Sequence, residues 1–230
     1  MNFNSSKTFN IFTDASVKQA NSVFFTCAGA VAIFGSSERC KLDNISVSKG
    51  TSNYGEIRAI LNGILLALEQ RDKVDEINVF SDSAFSVYGL RDWSHLWLGK
   101  LFNSKGDLIN DTFINSSNKP VANQCIFKNI MYLMCKHNMK VNFYHIAGHT
   151  DSKGFKRQID MFFNSNGFVP VGDTLEIISR MNCYVDNLTK SIINKTDLAS
   201  ASSNQRLFSV RFPTCISQVY HYNMLKNEKR

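Results

Sequence analysis

The segment Phe9–Ser16 (FNIFTDAS) constrains the fold most, because its apolar residues alternate and then stop at a carboxylate, Asp14. This pattern is typical of the central strand of a mixed sheet whose end opens into a site. A carboxylate in such a place is costly unless it is paired or bound to a metal ion. A single Asp of this kind more often caps a strand or a turn, so the interpretation depends on the carboxylates that follow in the chain.

The composition favours a globular protein with an anionic partner. The 230 residues can form one large domain, or one medium domain with insertions and a tail, around a sizeable core. The net charge of +7 favours nucleic acid over an acidic small molecule as that partner. The six cysteines contain no C-x-x-C pair, which predicts reduced thiols and no zinc site or disulfide framework. The N-terminal residues do not show a basic region followed by an apolar run, and no stretch approaches the ~20 apolar residues of a membrane span. We therefore expect a soluble, cytoplasmic protein with no membrane contact.

Apolar periodicity predicts an α/β (mixed) architecture in the order strand, strand, strand, helix, strand, helices, strand, helix. We expect a five-stranded mixed sheet whose first three strands form an antiparallel meander, with helices on both faces. The predicted strands are Phe9–Ser16, Val23–Phe34, Lys41–Ser48, Ile77–Ser81 and Lys140–Ile146. The predicted helices run from Glu56 to near Arg71, from Ser83 to Phe102, from Pro120 to about His137 and from Leu175 to Ile192. Residues 147–172 give no clear pattern.

Three carboxylates stand at positions that can meet at one end of this sheet. Asp14 ends the first predicted strand, Glu56 opens the first helix and Asp82 ends the fourth strand. Converging carboxylates raise each other's pKa values unless divalent cations neutralise them. Oxygen ligands select hard ions, Mg²⁺ first and Mn²⁺ second. Two such ions about 3.5 to 4 Å apart can activate a water and stabilise the leaving oxygen of a phosphodiester, which is the chemistry we expect.

Five motifs occur in the order of those of type 1 ribonuclease H, and together they resemble that family. The motifs are Ile11–Ser16 (IFTDAS), Thr51–Glu56 (TSNYGE), Val79–Ser83 (VFSDS), Ile146–Thr150 (IAGHT) and Asn182–Leu188 (NCYVDNL). A further segment, Gly89–Trp97 followed by Lys119–Asn123, is similar to the helical handle of bacterial and eukaryotic members. Each motif alone is a weak signal, whereas five in order are a strong one.

The resemblance implies a ribonuclease H-like fold and a domain organisation. The catalytic domain would span residues 1–195 and would include a handle at about 89–123 and an insertion at about 151–173. Residues 196–230 would form a basic tail, which could contact a protein or a nucleic acid. We expect the protein to act as a monomer.

The same resemblance assigns roles to site residues. Asp14, Glu56, Asp82 and Asp186 would be the metal ligands, with Asp14 bridging the two ions. His149, on a loop that contains glycine, would assist proton transfer or product release, because the pKa of imidazole lies close to working pH. Without the family pattern, a lone loop histidine is more often a solvated residue.

The fourth carboxylate has two candidates. Asp160 fits the family spacing after the loop histidine better than Asp186 does. Asp186 has the better local context, because Asn182 lies four residues before it and a long helix continues beyond it. Residues Asn164–Gly167 would end the helix of Asp160 early. We therefore favour Asp186, which implies an insertion between the loop and the last helix.

The resemblance also implies contacts to an RNA/DNA hybrid, through Asn53, Ser83, Trp93, Lys119 and Asn182. The amides of Asn53 and Asn182 can donate and accept hydrogen bonds in the minor groove, although Asn53 could instead be a simple helix cap. Trp93 and Lys119 would hold the DNA strand through apolar contact and charge. We interpret Trp97, one turn from Trp93, as core.

Two departures from the family pattern bear on binding. Ala84 stands where many members carry a polar side chain that contacts the hybrid. Three acidic residues, Asp92, Asp107 and Asp111, offset the basic residues of the handle, so we expect its grip on the hybrid to differ from the family usual.

These features together predict an endoribonuclease that hydrolyses the RNA strand of RNA/DNA hybrids. It would use two Mg²⁺ ions, for which Mn²⁺ can substitute, and leave 3′-hydroxyl and 5′-phosphate ends. One alternative is a nuclease or recombinase of the same fold that acts on DNA or structured RNA. Another is a non-catalytic module that binds hybrids.

Overall fold

The computed structural model describes residues 1–105, 107–148 and 155–198, and it contains one five-stranded sheet. The strands are β1 (Thr8–Ala20), β2 (Val23–Phe34), β3 (Ser37–Lys49), β4 (Glu76–Ser81) and β5 (Val141–His145). Their order across the sheet is β3-β2-β1-β4-β5. The first three strands pair antiparallel, whereas β4 is parallel to β1 and β5 is parallel to β4. The predicted mixed sheet is therefore confirmed.

In the described part of the chain, six α-helices cover the two faces of the sheet. They are α1 (Ser52–Glu69), α2 (Ala84–Tyr88), α3 (Ser94–Gly99), α4 (Gln124–Lys136), α5 (Phe155–Asn166) and α6 (Thr174–Lys195). A π-helical turn, Gly89–Trp93, joins α2 to α3, and a short 3₁₀ turn, Arg71–Lys73, follows α1. None of the helices in these described ranges is both long enough and apolar enough to span a lipid bilayer.

Each face of the sheet carries its own apolar core, because strand side chains alternate between the faces. On one face, Phe9 and Ile11 of β1 pack with α1, α3 and α4. On the other face, Phe12 of β1 and Phe80 of β4 pack with α5 and α6. The rings of Phe12 and Phe80 stack with their centroids 5.2 Å apart. Helices from both faces can therefore bring side chains to the same strand, β1.

A ladder of hydrogen-bonded asparagine side chains fixes the register of β1, β4 and β5. Asn10, Asn78 and Asn142 lie opposite one another on β1, β4 and β5. Asn78 Nδ2 donates to Asn10 Oδ1 (2.9 Å), and Asn142 Nδ2 donates to Asn78 Oδ1 (3.0 Å). A shift of one residue in either pairing would bury unpaired amides and would turn the apolar residues to the wrong face.

The prediction that β1 ends at Asp14 is wrong. The strand continues to Ala20, and its last residues pair with β2 as far as Ala20 opposite Val23. The parallel partner β4 ends earlier, because the pairing between β1 and β4 stops at Thr13 opposite Ser81. Asp14 is therefore the first residue of β1 beyond the end of β4. The sheet has a step at this point, and the polar site begins at the step.

The predicted helices also need correction between residues 83 and 137. The segment from Ser83 to Phe102 is helical only to Gly99, and the π-helical turn interrupts it. Pro120 does not start a helix: it forms an isolated bridge with Ile114, and α4 begins at Gln124. Residues between α3 and α4 instead form an irregular excursion with short bridges. The sequence missed α5, which lies in the stretch for which no pattern was found.

Candidate active site

Three carboxylates come together at the step in the sheet. One oxygen from each of Asp14, Glu56 and Asp82 lies within 4.8 Å of the other two. Asp14 projects from β1, Glu56 from the first turns of α1, and Asp82 from the residue after β4. Carboxylate oxygens at this separation suit a hard divalent cation. Among the described residues, these three form the acidic group that could bind a metal ion.

The approach of α1 to the sheet places Glu56 in this group. A Cβ on Gly55 would lie 2.0 Å from Thr26 Oγ1 and 2.8 Å from the Ala15 Cβ, so only glycine permits this packing. Thr51 caps the helix, since its side chain accepts a hydrogen bond from the Tyr54 amide. The first turn of α1 is therefore held directly against the strand that carries Asp14.

The last helix brings a fourth carboxylate to the same place from the opposite face. Asp186 of α6 is within hydrogen-bonding reach of the Asp14 carboxyl group. Thr189 Oγ1 lies 2.8 Å from Ser16 Oγ of β1, which fixes the helix against the strand. Lys190 donates a hydrogen bond to Asp186 Oδ2 at 2.7 Å, so these two residues form an ion pair on α6.

Burial and mutual repulsion make the charged state of the site unfavourable. Burial, followed by the charges of Asp82 and Asp186, raises the pKa of Asp14 from 3.8 to about 7. Burial and then the charges of Asp14 and Asp82 raise the pKa of Glu56 well above its usual value. The backbone amide of Ala15 hydrogen-bonds to both carboxyl groups and opposes these shifts. Without further positive charge, the site therefore binds protons near neutral pH.

The donor set fits a divalent cation. Glu56 Oε2 is buried and has no hydrogen-bond partner among the described residues. A buried, unpaired carboxylate oxygen is costly in a protein and is satisfied when it ligates a cation. All the candidate ligand atoms are carboxylate oxygens, which favour Mg²⁺ or Mn²⁺ over softer metals. Asp14, Glu56, Asp82 and Asp186 are the residues that could hold such ions.

The loop after β5 closes on Asp82. A Cβ added to Gly148 would lie 2.5 Å from Asp82 Oδ2, so the backbone of Gly148 approaches the carboxylate more closely than any other residue type allows. The next residue, His149, lies outside the described residues, and its role stays a prediction. The position of Gly148 nevertheless shows that the loop carrying His149 starts beside the carboxylate cluster.

The two candidates for the fourth carboxylate lie on different helices. Asp160 is exposed on α5, which packs against the edge strand β5. Asp186 lies on α6, which packs along β1 and β2 and reaches Asp14. The structure thus brings Asp186 to the site and leaves Asp160 away from it.

The residues predicted to contact the hybrid differ in how exposed their side chains are. Asn53 is exposed on the first turn of α1, and because Thr51 is the cap, the alternative role of Asn53 as helix cap is wrong. Ser83 caps α2, where its Oγ accepts a hydrogen bond from the Ser86 amide. Asn182 is only 4% exposed, and its Oδ1 has no partner among the described residues. A contact between Asn182 and a duplex would require this amide to be uncovered.

The handle-like region presents one tryptophan and buries the other. Trp93 is 38% exposed and packs against the rings of Phe85 and Tyr88. Trp97 is buried between Phe113 and Phe127, in agreement with its interpretation as core. Lys119 is exposed and directly precedes Pro120, which forms the isolated bridge with Ile114. Trp93 and Lys119 are thus both accessible to a ligand.

Sequence reasoning missed three residues that contact Asp82 or Asp186. They are His145, Gly148 and Lys190. Lys190 follows Asp186 by four residues on a helix, a spacing that predicts an ion pair. Gly148 lies within a recognised motif, but the sequence does not show what its backbone approaches. His145 gave no signal, because its contact with the Asp82 backbone depends on the pairing of β4 with β5.

Comparisons with known proteins agree with this geometry. The family model of RNase H matches residues 6–164, which is well over half of the chain. The protein named Ribonuclease H from Prosthecochloris aestuarii is 29% identical over 126 residues, which cover 54% of this chain and 73% of that protein. The Ribonuclease H of Erythrobacter litoralis is 27% identical over 99 residues, which cover 43% of this chain and 57% of that relative.

One solved structure extends the comparison to the fold. The solution structure of the PFV RNase H domain superposes with a TM-score of 0.51 at 15% sequence identity. The alignment covers 80% of this chain and 92% of that domain. At this level of identity the likeness supports the fold, and the carboxylate geometry supports the chemistry.

Proposed function

The chain belongs to the ribonuclease H family, and we propose that it hydrolyses the RNA strand of RNA/DNA hybrids with two divalent cations, leaving 3′-hydroxyl and 5′-phosphate ends. The observation that carries this proposal is the convergence of Asp14, Glu56 and Asp82 within 4.8 Å. In the proposed reaction a water oxygen attacks the phosphorus atom and the bond from phosphorus to the 3′ oxygen breaks. The leaving oxygen takes up a proton and becomes the 3′-hydroxyl group.

The cations would be Mg²⁺, with Mn²⁺ as a substitute, because only oxygen atoms are offered as ligands. When bound, they lower the pKa of the attacking water and neutralise charge on the phosphodiester. Asp14 would ligate both ions, because its carboxyl group lies within 4.8 Å of those of Glu56 and Asp82 and also interacts with that of Asp186. The four carboxylates would fix the positions of the cations relative to the scissile phosphate.

Other side chains would hold and release the substrate. Asn53, at the exposed start of α1, would bond to groups in the minor groove, and Ser83 lies directly beside Asp82. Trp93 and Lys119 would contact the DNA strand by apolar packing and charge. His149 would carry a proton between the site and solvent or assist product release.

We further propose the following organisation of the protein, which would act as a monomer. Residues 1–195 form the catalytic domain, with a handle at 89–123 and an insertion at 151–173, and residues 196–230 form a basic tail for additional contacts. Deleting residues 196–230 should lower affinity for the hybrid and leave the cleavage of bound hybrid intact. A deletion variant that loses all cleavage while it still folds would contradict this organisation.

Hybrid cleavage is the direct test of the proposed function. Purified protein should cleave the RNA strand of a hybrid in the presence of Mg²⁺, and this cleavage should stop when EDTA is added. Duplex DNA of the same sequence should remain intact. Labelled products should carry 3′-hydroxyl and 5′-phosphate ends. Cleavage of duplex DNA at a comparable rate would favour the alternative nuclease or recombinase, and binding without hydrolysis in any metal would favour a non-catalytic module.

A matched pair of variants tests the fourth carboxylate. Asp186→Asn should reduce kcat by ~100-fold or more, because a ligand to the catalytic cation is lost. Asp160→Asn makes the same chemical change at an exposed position on α5 and should leave kcat unchanged. The reverse result would assign the role to Asp160.

A further inference from the structure

We propose that His145 and Asn166 position the backbone of Asp82, so that α5 supports the metal-binding carboxylates although it contributes none of them. We call the group of Tyr88, Arg91, His145, Ser165 and Asn166 the β5 junction. This inference rests on the proposed function, because it assigns Asp82 to the site at which the cations bind. His145 and Asn166 are positioning residues, since neither reaches the carboxylate cluster itself.

The Asn166 side chain pairs with the edge strand as another strand would. Its Oδ1 accepts a hydrogen bond from the His145 amide (3.1 Å), and its Nδ2 donates to the His145 carbonyl oxygen (2.8 Å). Because β5 is the last strand of the sheet, these two groups have no further strand to pair with. One amide at the C-terminal end of α5 thus satisfies both backbone groups and fixes the end of β5.

The ring of His145 connects the end of β5 to the backbone of Asp82. Its Nε2 lies 3.2 Å from the Asp82 carbonyl oxygen, an acceptor, so Nε2 carries the proton. Its Nδ1 then accepts hydrogen bonds from Ser165 Oγ (3.0 Å) and Tyr88 Oη (3.4 Å). Both ring nitrogens are therefore used, and the ring has one orientation that satisfies them.

Arg91 holds the other side of the junction. It donates to Asn166 Oδ1 (3.0 Å) and to the Ser165 carbonyl oxygen (3.1 Å), and it forms an ion pair with Asp92. Its guanidinium also lies over the ring of Tyr88, 5.1 Å from the centroid. The π-helical turn after α2 and the end of α5 are thus fastened together beside His145.

Asp82 lies just beyond the end of β4. The pairing of β4 with both neighbours stops at Ser81, so strand pairing does not hold the next residue. Yet the Asp82 carboxylate must remain within 4.8 Å of Asp14 and Glu56. A hydrogen bond from a fixed ring to the Asp82 carbonyl restricts the rotation that would carry the carboxylate away from the cluster. Substituting groups that orient metal ligands typically lowers metal affinity or activity by about 10- to 100-fold.

Two substitutions at His145 separate the hydrogen bond from the packing of the ring. His145→Phe keeps an aromatic ring against Tyr88, 5.4 Å between centroids in the native protein, but removes the bond to Asp82. His145→Gln keeps a side-chain N–H donor. His145→Phe should weaken Mg²⁺ binding and lower kcat by ~10-fold, with KM for the hybrid within about twofold, and His145→Gln should recover most of both losses. Mg²⁺ affinity is measured by titration calorimetry on metal-free protein without substrate.

Asn166→Ala provides a second variant that leaves the ring intact. It should lower Mg²⁺ affinity in the same direction as His145→Phe, and thermal unfolding establishes that each variant is folded. The inference is overturned if folded His145→Phe and Asn166→Ala bind Mg²⁺ as tightly as the native protein. It is also overturned if His145→Gln is as impaired as His145→Phe. If the native protein binds Mg²⁺ but does not cleave a hybrid, the proposed function fails, whereas the Mg²⁺ affinities of the variants still decide the role of the junction.

Discussion

Replacing Asp14 with Asn should stabilise the metal-free protein while it abolishes hydrolysis. In the native protein, burial and the charges of Asp82 and Asp186 hold the pKa of Asp14 at about 7, against 3.8 for an ordinary Asp. The folded state therefore keeps a proton that the unfolded chain releases. The contribution of Asp14 to the free energy of unfolding must therefore fall as pH rises from about 4 to about 7. Above pH 7 the full cost of burying the charged Asp14 carboxylate is present. An isosteric amide removes that cost.

The size of the effect follows from the two pKa values. A difference between 3.8 and about 7 corresponds to about 4 kcal/mol at pH 8, since each pH unit is worth about 1.36 kcal/mol. Because the carboxylates relax around one another, we expect a gain of about 2 to 4 kcal/mol for Asp14→Asn. For a chain of this length, that gain raises Tm by roughly 5 to 15 °C. At pH 5 the gain should be about 1 kcal/mol, because the native carboxyl group is already protonated.

Thermal unfolding in EDTA at pH 5 and pH 8, followed by circular dichroism, measures these gains. Adding Mg²⁺ at 100 times its Kd should stabilise the native protein by ~2.7 kcal/mol and should not stabilise Asp14→Asn. Asp160→Asn, the same change at an exposed position, is the control and should alter neither Tm nor the response to Mg²⁺. An Asp14→Asn variant that is less stable than the native protein in EDTA at pH 8 would refute the reasoning from buried charge.

Three further substitutions test other parts of the structure. Gly148→Ala should lower kcat by roughly 10-fold or more with little change in Tm, because the new methyl group would lie 2.5 Å from Asp82 Oδ2. Steady-state kinetics and a melting curve distinguish a displaced Asp82 carboxylate from unfolding. Lys190→Ala should tighten Mg²⁺ binding by roughly two- to fivefold in calorimetry, because it removes a cation that pairs with Asp186; weaker binding would show that the lysine helps to orient that carboxylate. Asn78→Leu should destabilise the fold by about 1 to 3 kcal/mol in urea unfolding, since it leaves the buried Asn10 Oδ1 without its hydrogen-bond donor. An unchanged midpoint would show that the amide ladder does not fix the register.

The sequence predicted the sheet because each strand carries its own local pattern. Alternating or continuous apolar residues marked all five strands, and their order restricted the topology. The predicted position of Asp14 at the end of β1 was wrong, because the length of a strand depends on the neighbouring strand with which it pairs. The residues after Asp14 remain extended because β2 continues beside them, and no property of those residues alone shows this.

Site residues were predictable to the extent that their chemistry is local. Glu56 and Asp82 lie near the element ends that their local patterns predict, whereas Asp14 lies within β1 where that strand passes the end of β4. The structure brings the three carboxylates together. Helix α5 was missed, because its sequence is polar on one side and contains only a few apolar anchors such as Phe162. The contact of His145 with Asp82 could not be predicted, since it joins the ends of two strands that are distant in the chain.

The positions of α5 and α6 explain why sequence spacing and spatial proximity to Asp14 point to different carboxylates. The match to the family ends at residue 164, inside α5, and Asp160 has the spacing expected after the loop. But α5 packs at β5, and β5 is two strands away from β1, or roughly 10 Å at the usual strand separation of about 4.8 Å. A helix that packs along β1, as α6 does, can place a carboxylate beside Asp14. An added helix before α6 is compatible with this geometry because it is held at the sheet edge, where Asn166 bonds to the backbone of His145.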